Sequence, residues 1–203
     1  MKVVVLGGTG LAGQALLREV SFRDYSALSV ARRNADIILD LTDLIEVERF
    51  LETEQPDCII NAAALVNLDE CQKNTLESWI INTAVVGVLR HWSFEKNKRL
   101  VHISTEHFFT EGGSKQHSEN DPVRLVHVYS RQKYTAECIS LSAPHSLVLR
   151  TSIVGNRGWK EKTFAEWAME ALLREDPFQM FSDVWTSSID TKNFARAVFD
   201  LAE

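Results

Sequence analysis

The sequence has no excess of basic side chains, no apolar run of membrane-spanning length and no paired metal-ligand motif. Its 22 lysines and arginines against 28 aspartates and glutamates give a net charge of −6, which argues against a general nucleic-acid-binding protein. Without an apolar stretch of about 20 residues, no membrane span is predicted. Because Met1 leads directly into an apolar strand, we expect no signal peptide. These absences favour a cytoplasmic protein that binds neither nucleic acid nor membrane.

Cysteine is scarce and forms no motif. Cys58, Cys71 and Cys138 are odd in number and lack CxxC spacing, so we interpret them as reduced thiols of a cytoplasmic protein. The six histidines form no paired ligand motif, so we expect no structural metal. The composition, 45% hydrophobic and 25% charged, is that of an ordinary globular protein. A chain of 203 residues suits one domain, which we place over 1–203.

Near its amino terminus the chain has an apolar strand, a glycine-rich turn and a helix, the order that a dinucleotide fingerprint requires. Gly7 permits the tight turn, Gly10 lets the backbone approach a pyrophosphate, and Gly13 lets the helix pack close to the strand. The N–H groups of the first helical turn, including Leu11 and Ala12, then face the phosphates. The spacing is Gly-x-x-Gly-x-x-Gly and not the more familiar Gly-x-Gly-x-x-Gly. A glycine-rich turn without a ligand is the alternative, and the position after a buried strand favours cofactor binding.

Short apolar runs alternate with longer helical patterns along the whole chain. This alternation predicts an α/β fold, with a doubly wound, Rossmann-type parallel sheet flanked by helices. After the first strand, strands are predicted at 27–31, 37–40, 58–64, 100–105, 146–150 and 178–181. Helices are predicted at 11–20, after residue 43 through 53, and at 74–97, 126–141, 163–174 and 192–202. A long loop, 106–124, has the length of functional or mobile loops.

The end of the second predicted strand indicates which dinucleotide binds. Arg32 and Arg33 lie about 20 residues beyond the last glycine of the turn, where an acidic residue would bind the ribose of NAD and an arginine the 2′-phosphate of NADP. Because no acidic residue is present there, the sequence favours NADP(H), with NAD(H) as the second possibility. A solvated pair of arginines on a loop is the alternative interpretation.

The third predicted strand ends at Asp40 and is followed by Leu41. We assign both residues to the cofactor site, since an aspartate here could reach the adenine end of a dinucleotide. Capping is the commoner role for such a residue, and we expect Thr42 or Asp43 to cap the helix that follows.

The fourth predicted strand ends in the small residues Ala62, Ala63 and Ala64. Small side chains at the carboxyl end of a strand suit a backbone that lies against a cofactor, so all three are candidate cofactor-binding residues. Simple close packing explains the same pattern, and the sequence does not decide between the two.

Tyr129 and Lys133 are four residues apart on a predicted helix and therefore lie on one face. A neighbouring ammonium group favours the phenolate, so we expect Lys133 to lower the pKa of Tyr129. Ser104 and Thr105 end a predicted strand, where open α/β sheets place their active sites, and a hydroxyl there can orient a substrate oxygen. Together these residues suit hydride exchange between a nicotinamide and a carbonyl or alcohol carbon.

These motifs make the chain resemble an extended short-chain dehydrogenase/reductase, and more narrowly the dTDP-4-dehydrorhamnose reductase group. Most of the chain is covered, in the family's order, by stretches at 7–13, 40–43, 56–64, 101–106, 128–133 and 149–152. The resemblance implies that Thr105, Tyr129 and Lys133 are the catalytic set. It also implies that Tyr129 protonates the C4 oxygen of a nucleotide-linked 4-keto sugar as NADPH delivers hydride. Lys133 would hold the nicotinamide ribose, and the backbone from Ala62 to Ala64 would line the cofactor.

The chain departs from this pattern in two ways. Glu106 and His107 replace the aspartate and aromatic residue that usually follow the Ser-Thr pair in the family. The substrate contacts assigned to Ser104, Thr105 and Glu106 therefore lie where this chain departs from the family's pattern. Family members also continue past residue 203 to complete the lobe that holds the nucleotide sugar. We therefore expect residues 151–203 to form a small, incomplete substrate lobe, in either a shortened chain or a natural short form.

Three functions remain open at this point. The first is an NADP(H)-dependent reductase of a nucleotide-sugar ketone. The second is an NAD-dependent sugar-nucleotide epimerase or dehydratase, against which the two arginines argue. The third is a dinucleotide-binding regulatory subunit without catalysis, against which the retained Tyr129 and Lys133 argue. The apolar surface of the predicted helix 74–97 additionally suits a homodimer interface.

Overall fold

Seven strands form one parallel sheet in the computed structural model, which describes residues 1–109, 113, 115–159, 161–175, 177 and 179–202. The strands are β1 Lys2–Leu6, β2 Ser26–Ala31, β3 Ile37–Ile38, β4 Cys58–Asn61, β5 Arg99–Thr105, β6 Ser146–Val154 and β7 Ser188–Asp190. Their order across the sheet is β3-β2-β1-β4-β5-β6-β7. This order confirms the predicted doubly wound Rossmann-type fold.

Helices connect the strands and cover both faces of the sheet. They are α1 Leu11–Val20, α2 Leu44–Glu54, α3 Leu68–Lys73, α4 Thr75–Trp79, α5 Val85–Glu95, α6 Val128–Leu141, α7 Phe164–Leu173 and α8 Thr191–Ala202, with a π-helical turn at Ile80–Ala84 between α4 and α5. No helix in the described part of the chain has the length and apolarity needed to cross a bilayer.

The central strand β1 shows why the early apolar run is a strand. Val3 and Val5 point to one face, where they pack with residues of α1 and α8. Val4 and Leu6 point to the other face and pack with residues of α2 and α5. All four side chains are fully buried. A parallel strand covered by helices on both sides therefore carries an uninterrupted apolar sequence.

The strand order reverses at β1. β2 and β3 lie on one side of β1, and β4 to β7 lie on the other. β1 pairs with β2 on one side and with β4 on the other, so a crevice opens beyond the carboxyl ends of β1 and β4. Gly7 follows β1 at this edge, and Ala62 follows β4. The fold therefore places the glycine turn and the alanine run side by side at the edge of one crevice.

Several predicted boundaries are wrong. The seventh strand is Ser188–Asp190, whereas residues 179–181 form no strand and Phe178 lies outside the described residues. The fourth strand ends at Asn61, and the third has only two residues. Asp43 caps α2 by accepting a 3.0 Å hydrogen bond from the N–H of Glu46, which decides between the two predicted caps. β7 is a three-residue edge strand that pairs with β6. It has no long apolar run by which the sequence could predict it.

The predicted helix 74–97 is interrupted by the π-helical turn. Four of its apolar side chains, Val85, Val86, Leu89 and Trp92, are buried in the core and are not available to a partner. Leu76, Trp79 and Phe94 remain exposed. The homodimer stays a prediction. Only the exposed part of the surface of this helix is open to a partner chain.

Candidate active site

The glycine turn is held by backbone geometry that only glycine allows. Gly7 has φ +77°, and a Cβ there would lie 2.8 Å from the backbone N and Cα of Ala63. A Cβ on Gly13 would lie 2.2 Å from the carbonyl oxygen of Gly7. Both positions therefore require glycine for packing, whatever the site binds. This packing also accounts for Ala63, so close packing explains at least part of the alanine run.

Gly10 differs from these two glycines. A Cβ built there meets only the Gly7 oxygen, at 3.2 Å, within 4 Å. Gly10 is the N-cap of α1, no side chain caps that helix, and its first turn contains no acidic residue. Among the described residues, no side-chain acceptor bonds to its first N–H groups, which leaves the positive end of the helix dipole open to an anion. The residues present fit a dinucleotide pyrophosphate.

A cleft of about 660 Å³ adjoins the glycine turn. Its lining includes Gly8, Thr9, Arg33, Asn34 and Trp159. Arg33 therefore lies beside the turn, where it could reach a phosphate. The cleft extends the predicted cofactor site towards the end of β2.

Asp40 follows β3 and lies within range of the Arg32 charge. A hydrogen bond from the backbone of Thr42 lowers the pKa of Asp40, as do the Thr42 hydroxyl and the charge of Arg32. The Asp40 carboxylate accepts both Thr42 hydrogen bonds at 2.9 Å, so it closes a local turn. Leu41 is 8% exposed and packs in the core. Contacts of Asp40 and Leu41 with a cofactor stay a prediction.

The sequence reasoning missed a loop that packs beside the glycine turn. The Gln14 side chain donates to the carbonyl oxygens of Thr9, at 2.9 Å, and Arg157, at 3.3 Å. The Arg157 guanidinium lies 4.3 Å from the ring centre of Trp159. The Glu166 carboxylate accepts hydrogen bonds from the N–H groups of Arg157, Gly158 and Thr163. The T-x-x-E spacing of the Thr163 capping box was the available signal for this anchor.

Thr105 and Tyr129 meet at the carboxyl end of β5. The Thr105 Oγ1 accepts a 3.2 Å hydrogen bond from the N–H of His107. Burial raises the pKa of Tyr129 to about 12, and the nearby Thr105 side chain only partly opposes that shift. Tyr129 therefore keeps its proton at neutral pH. The prediction that its pKa is lowered by Lys133 is wrong for this structure.

Lys133 is buried beneath β5. Its Nζ lies 2.7 Å from the carbonyl oxygen of Ile103 and 3.0 Å from the Nε2 of His102. Burial lowers the pKa of Lys133 to about 7, and the charge of Glu137 opposes that shift. The i,i+4 spacing does place Lys133 and Tyr129 on one helix, but the lysine amine contacts the strand.

Two histidines surround Tyr129 and were not predicted. The ring centres of His107 and His127 lie 6.0 Å and 6.3 Å from that of Tyr129. His127 also caps α6, since its Nδ1 accepts a 3.1 Å hydrogen bond from the N–H of Ser130. Burial lowers the pKa of His127, as do charges on His107 and Arg131. Both rings are therefore packed against the phenol.

A second cleft, of about 770 Å³, lies beyond Thr105. Its lining includes Glu106, His107, Phe109, Arg150 and Trp185. The Glu106 carboxylate accepts a 2.6 Å hydrogen bond from the Thr186 hydroxyl. Ser104 is 6% exposed, and its Oγ has no hydrogen-bond partner among the described residues. The cleft thus adjoins the predicted substrate residues.

An ion pair joins this cleft to α6. The Arg150 guanidinium donates to both oxygens of Glu137, over 2.8–3.1 Å, and Glu137 is 2% exposed. The same guanidinium lies 5.2 Å and 5.5 Å from the ring centres of Phe108 and Phe109. Arg150 therefore fixes α6, β6 and the start of the long loop relative to one another.

All of residues 1–203 match the family model described as RmlD substrate binding domain. The chain belongs to the RmlD substrate-binding domain family. The spore coat polysaccharide biosynthesis protein SpsK of Bacillus subtilis (strain 168) is 27% identical in an alignment that covers 98% of this chain and 69% of SpsK. A dTDP-4-dehydrorhamnose reductase of Aggregatibacter actinomycetemcomitans is 26% identical in an alignment that covers 74% of this chain and 51% of that enzyme.

Solved structures share the RmlD-family fold. The dTDP-4-dehydrorhamnose reductase of Bacillus anthracis str. Ames, in complex with NADP, superposes with a TM-score of 0.86 at 20% identity, covering 99% of this chain and 70% of its own. MoeE5, in complex with UDP-glucose and NAD, superposes with a TM-score of 0.85 at 22% identity. The superposition covers 100% of this chain and 72% of the MoeE5 chain. The predicted family is confirmed, and the predicted nicotinamide dinucleotide has counterparts in these two complexes.

Proposed function

We propose that this RmlD-family chain binds NADP(H) in the crevice beyond β1 and β4 and reduces a keto group on a nucleotide-linked sugar. The observation that carries the proposal is the placement of Tyr129, at the start of α6, against Thr105 at the carboxyl end of β5. β5 lies next to β4 in the sheet, and the 770 Å³ cleft begins at Glu106, directly after Thr105. Relatives whose names state reduction of dTDP-linked keto sugars support the substrate class.

The cofactor would be held by the glycine turn, the first turn of α1 and Arg33. When bound, the dinucleotide supplies the hydride. Arg33 would bind the 2′-phosphate of NADP(H), while the charge of Arg32 acts on Asp40. Ala62, Ala63 and Ala64 are half-buried next to the glycine turn and would line the cofactor.

Tyr129 would give its proton to the carbonyl oxygen of the substrate. Burial keeps the phenol protonated, which suits a donor in the direction of reduction. Thr105 would orient both the phenol and the substrate oxygen. Glu106 lines the second cleft and would contact the substrate there. The Ser104 hydroxyl is buried, so a contact between Ser104 and the substrate stays a prediction.

Cofactor binding tests the first half of the proposal. We expect calorimetric titration to show tighter binding of NADPH than of NADH. Arg33→Ala should weaken NADPH binding roughly 10- to 100-fold, because a charge-assisted hydrogen bond contributes about 1.5–3 kcal/mol. The affinity for NADH, which lacks the 2′-phosphate, should stay unchanged. Arg49→Ala, which removes an exposed arginine from α2, is the control for net charge. Equal binding of both dinucleotides by the wild-type chain would contradict the Arg33 assignment and favour the epimerase alternative.

Turnover tests the second half. NADPH oxidation with dTDP-4-dehydrorhamnose as the substrate should fall about 10²- to 10⁴-fold in Tyr129→Phe, the range of a general acid. Tyr134→Phe removes a hydroxyl from the next turn of the same helix and should retain activity. Activity that survives Tyr129→Phe would overturn the proposed proton donor. NADPH binding without any turnover of dTDP-linked keto sugars would favour a non-catalytic dinucleotide-binding subunit.

A further inference from the structure

The loop between β6 and α7 lines the cleft beside the glycine turn, and the proposed function gives it no role. We call residues 155–163 the β6–α7 loop, of which the structure describes 155–159 and 161–163. Trp159 and Glu161 of this loop line the cleft, as do Thr9 and Arg33. Trp159 is 40% exposed, and Glu161 is exposed as well. The loop therefore presents an indole and a carboxylate to a ligand that binds beside Arg33.

Hydrogen bonds tie the β6–α7 loop to the glycine turn. The Gln14 side chain on α1 donates to the carbonyl oxygens of both Thr9 and Arg157. The Arg157 guanidinium in turn donates to the carbonyl oxygen of Glu161 at 2.6 Å. The Glu166 carboxylate accepts a 3.0 Å hydrogen bond from the Arg157 N–H. The backbone that carries Glu161 is therefore held beside the cleft from α1 and from α7.

Arg33 and Glu161 give one cleft charges of both signs. In a site for NAD(H), an acidic residue after the second strand binds the ribose hydroxyls, whereas an arginine there accommodates the 2′-phosphate of NADP(H). This chain has Arg32 and Arg33 after β2. The fold brings a carboxylate to the same cleft from the β6–α7 loop, which follows β2 by more than a hundred residues.

We infer that Glu161 is a specificity-determining residue, which weakens binding of the 2′-phosphate and limits the preference for NADP(H) that Arg33 creates. The inference rests on the proposed function, because it needs the adenosine end of a dinucleotide in this cleft. The carboxylate repels the phosphate and lowers the positive potential around Arg33. Both effects act on NADP(H), whereas the 2′-hydroxyl of NAD(H) carries no charge and can donate a hydrogen bond to Glu161.

Trp159 provides an optical test of where the adenosine end lies. The Arg157 guanidinium lies 4.3 Å from the centre of its ring, and the indole lines the cleft. The Trp159 fluorescence is the difference between the spectra of the wild-type chain and of Trp159→Phe. It should change on addition of 2′,5′-ADP, which carries the adenosine end of NADP(H) without the nicotinamide. Trp79→Phe removes an indole of similar exposure, 41%, from α4 and should keep the response.

Glu161→Gln tests the carboxylate itself, since it removes the charge and keeps a hydrogen-bond acceptor of similar shape. A phosphate monoester carries a charge of about −1.5 to −2 at neutral pH, so calorimetric titration should show NADPH binding roughly 3- to 10-fold tighter. NADH binding should change less than about twofold, because the acceptor is retained. Glu161→Lys should raise the ratio of NADPH to NADH affinity further. Glu95→Gln, at the exposed end of α5, is the control for net charge and should leave the ratio unchanged.

The outcomes separate this inference from the proposed function. If the wild-type chain binds NADPH and both Glu161 variants keep its ratio of NADPH to NADH affinity, the specificity assignment is wrong and the cofactor proposal stands. A Trp159 fluorescence that does not respond to 2′,5′-ADP, in a chain that binds NADPH, would likewise overturn this inference alone. Absence of binding of either dinucleotide to the wild-type chain would contradict the proposed function and this inference together.

Discussion

Replacing Gly13 with alanine would introduce one methyl group at the closest contact in the glycine turn. An alanine Cβ there would lie 2.2 Å from the carbonyl oxygen of Gly7 and 2.6 Å from the Cα of Gly8. Ordinary van der Waals contact begins near 3.4 Å. The first turn of α1 and the end of β1 must therefore separate by about 1 Å, and both are backbone segments that cannot rotate away. Gly87, in α5, offers a matched control because its Cβ would meet no atom within 4 Å.

The two substitutions share one favourable effect and differ in one unfavourable effect. Alanine is favoured over glycine in a helix interior by about 1 kcal/mol, and this applies to both. Overpacking costs about 1–3 kcal/mol, and contact with backbone places Gly13→Ala near the upper value. We therefore expect Gly13→Ala to lower the free energy of unfolding by about 2 kcal/mol and Gly87→Ala to raise it by up to about 1 kcal/mol. For a chain of this size these changes correspond to a Tm lower by roughly 4–8 °C and higher by roughly 2–4 °C.

Thermal and urea unfolding followed by circular dichroism measure the pair under identical conditions. NADPH titration of the same samples adds a second comparison, since a displaced first turn of α1 should weaken pyrophosphate binding in Gly13→Ala only. A Gly13→Ala chain as stable as the Gly87→Ala chain would refute the packing argument. Normal stability combined with normal NADPH binding would also remove the basis for treating this turn as a fingerprint.

Three further predictions concern the ion pair, an acid-sensitive loop and the thiols. Arg150→Met leaves Glu137 buried without its ion-pair partner and should lower the free energy of unfolding in urea by about 3–5 kcal/mol. Arg150→Met combined with Glu137→Leu should recover most of that loss. Equal stability of the single and double variants would contradict the role of the pair. Backbone hydrogen bonds hold the pKa of Glu166 at about 2, below its ordinary 4.5, so the stability it contributes is present above about pH 4.5 and is lost as the pH falls towards 2. Tm measured over that range should fall less steeply in Glu166→Gln, and parallel curves would count against the anchor. In the native chain a thiol reagent at mildly alkaline pH should label the exposed Cys138 quickly. Cys58 is buried, and burial raises its pKa to about 12, so it should stay unlabelled until urea is added. Fast labelling of Cys58 would show that its strand opens.

The parts of the fold that the sequence predicts are those where one local signal decides the outcome. The apolar run before Gly7 predicts a doubly covered strand, and Gly7 and Gly13 are required by backbone contacts of 2.2–2.9 Å. The carboxyl end of β5 and the start of α6 are likewise recognisable from Thr105 and Tyr129. These elements place the proposed active site before any long-range contact is known.

The parts that could not be predicted depend on partners far away in the chain. The strand at Ser188–Asp190 exists because β6 offers it a free edge, and its own three residues carry little apolar signal. The π-helical turn places the Asn82 side chain against the backbone of Leu65, 17 residues earlier, which no periodicity indicates. His102 reads in the sequence as one polar residue within an apolar strand. Only the packing of α6 on β5 reveals its contact with Lys133.

The pKa of Tyr129 shows why helical spacing alone gave the wrong direction. Spacing of four residues places the two side chains on one face, but a lysine side chain is long enough to reach β5 instead of the phenol. Burial then acts on both groups by penalising their charged forms. It raises the pKa of the phenol to about 12 and lowers that of the amine to about 7. One physical cause therefore moves the two pKa values, which ordinarily both lie near 10, in opposite directions, and the proton that the proposed reduction requires stays on the phenol.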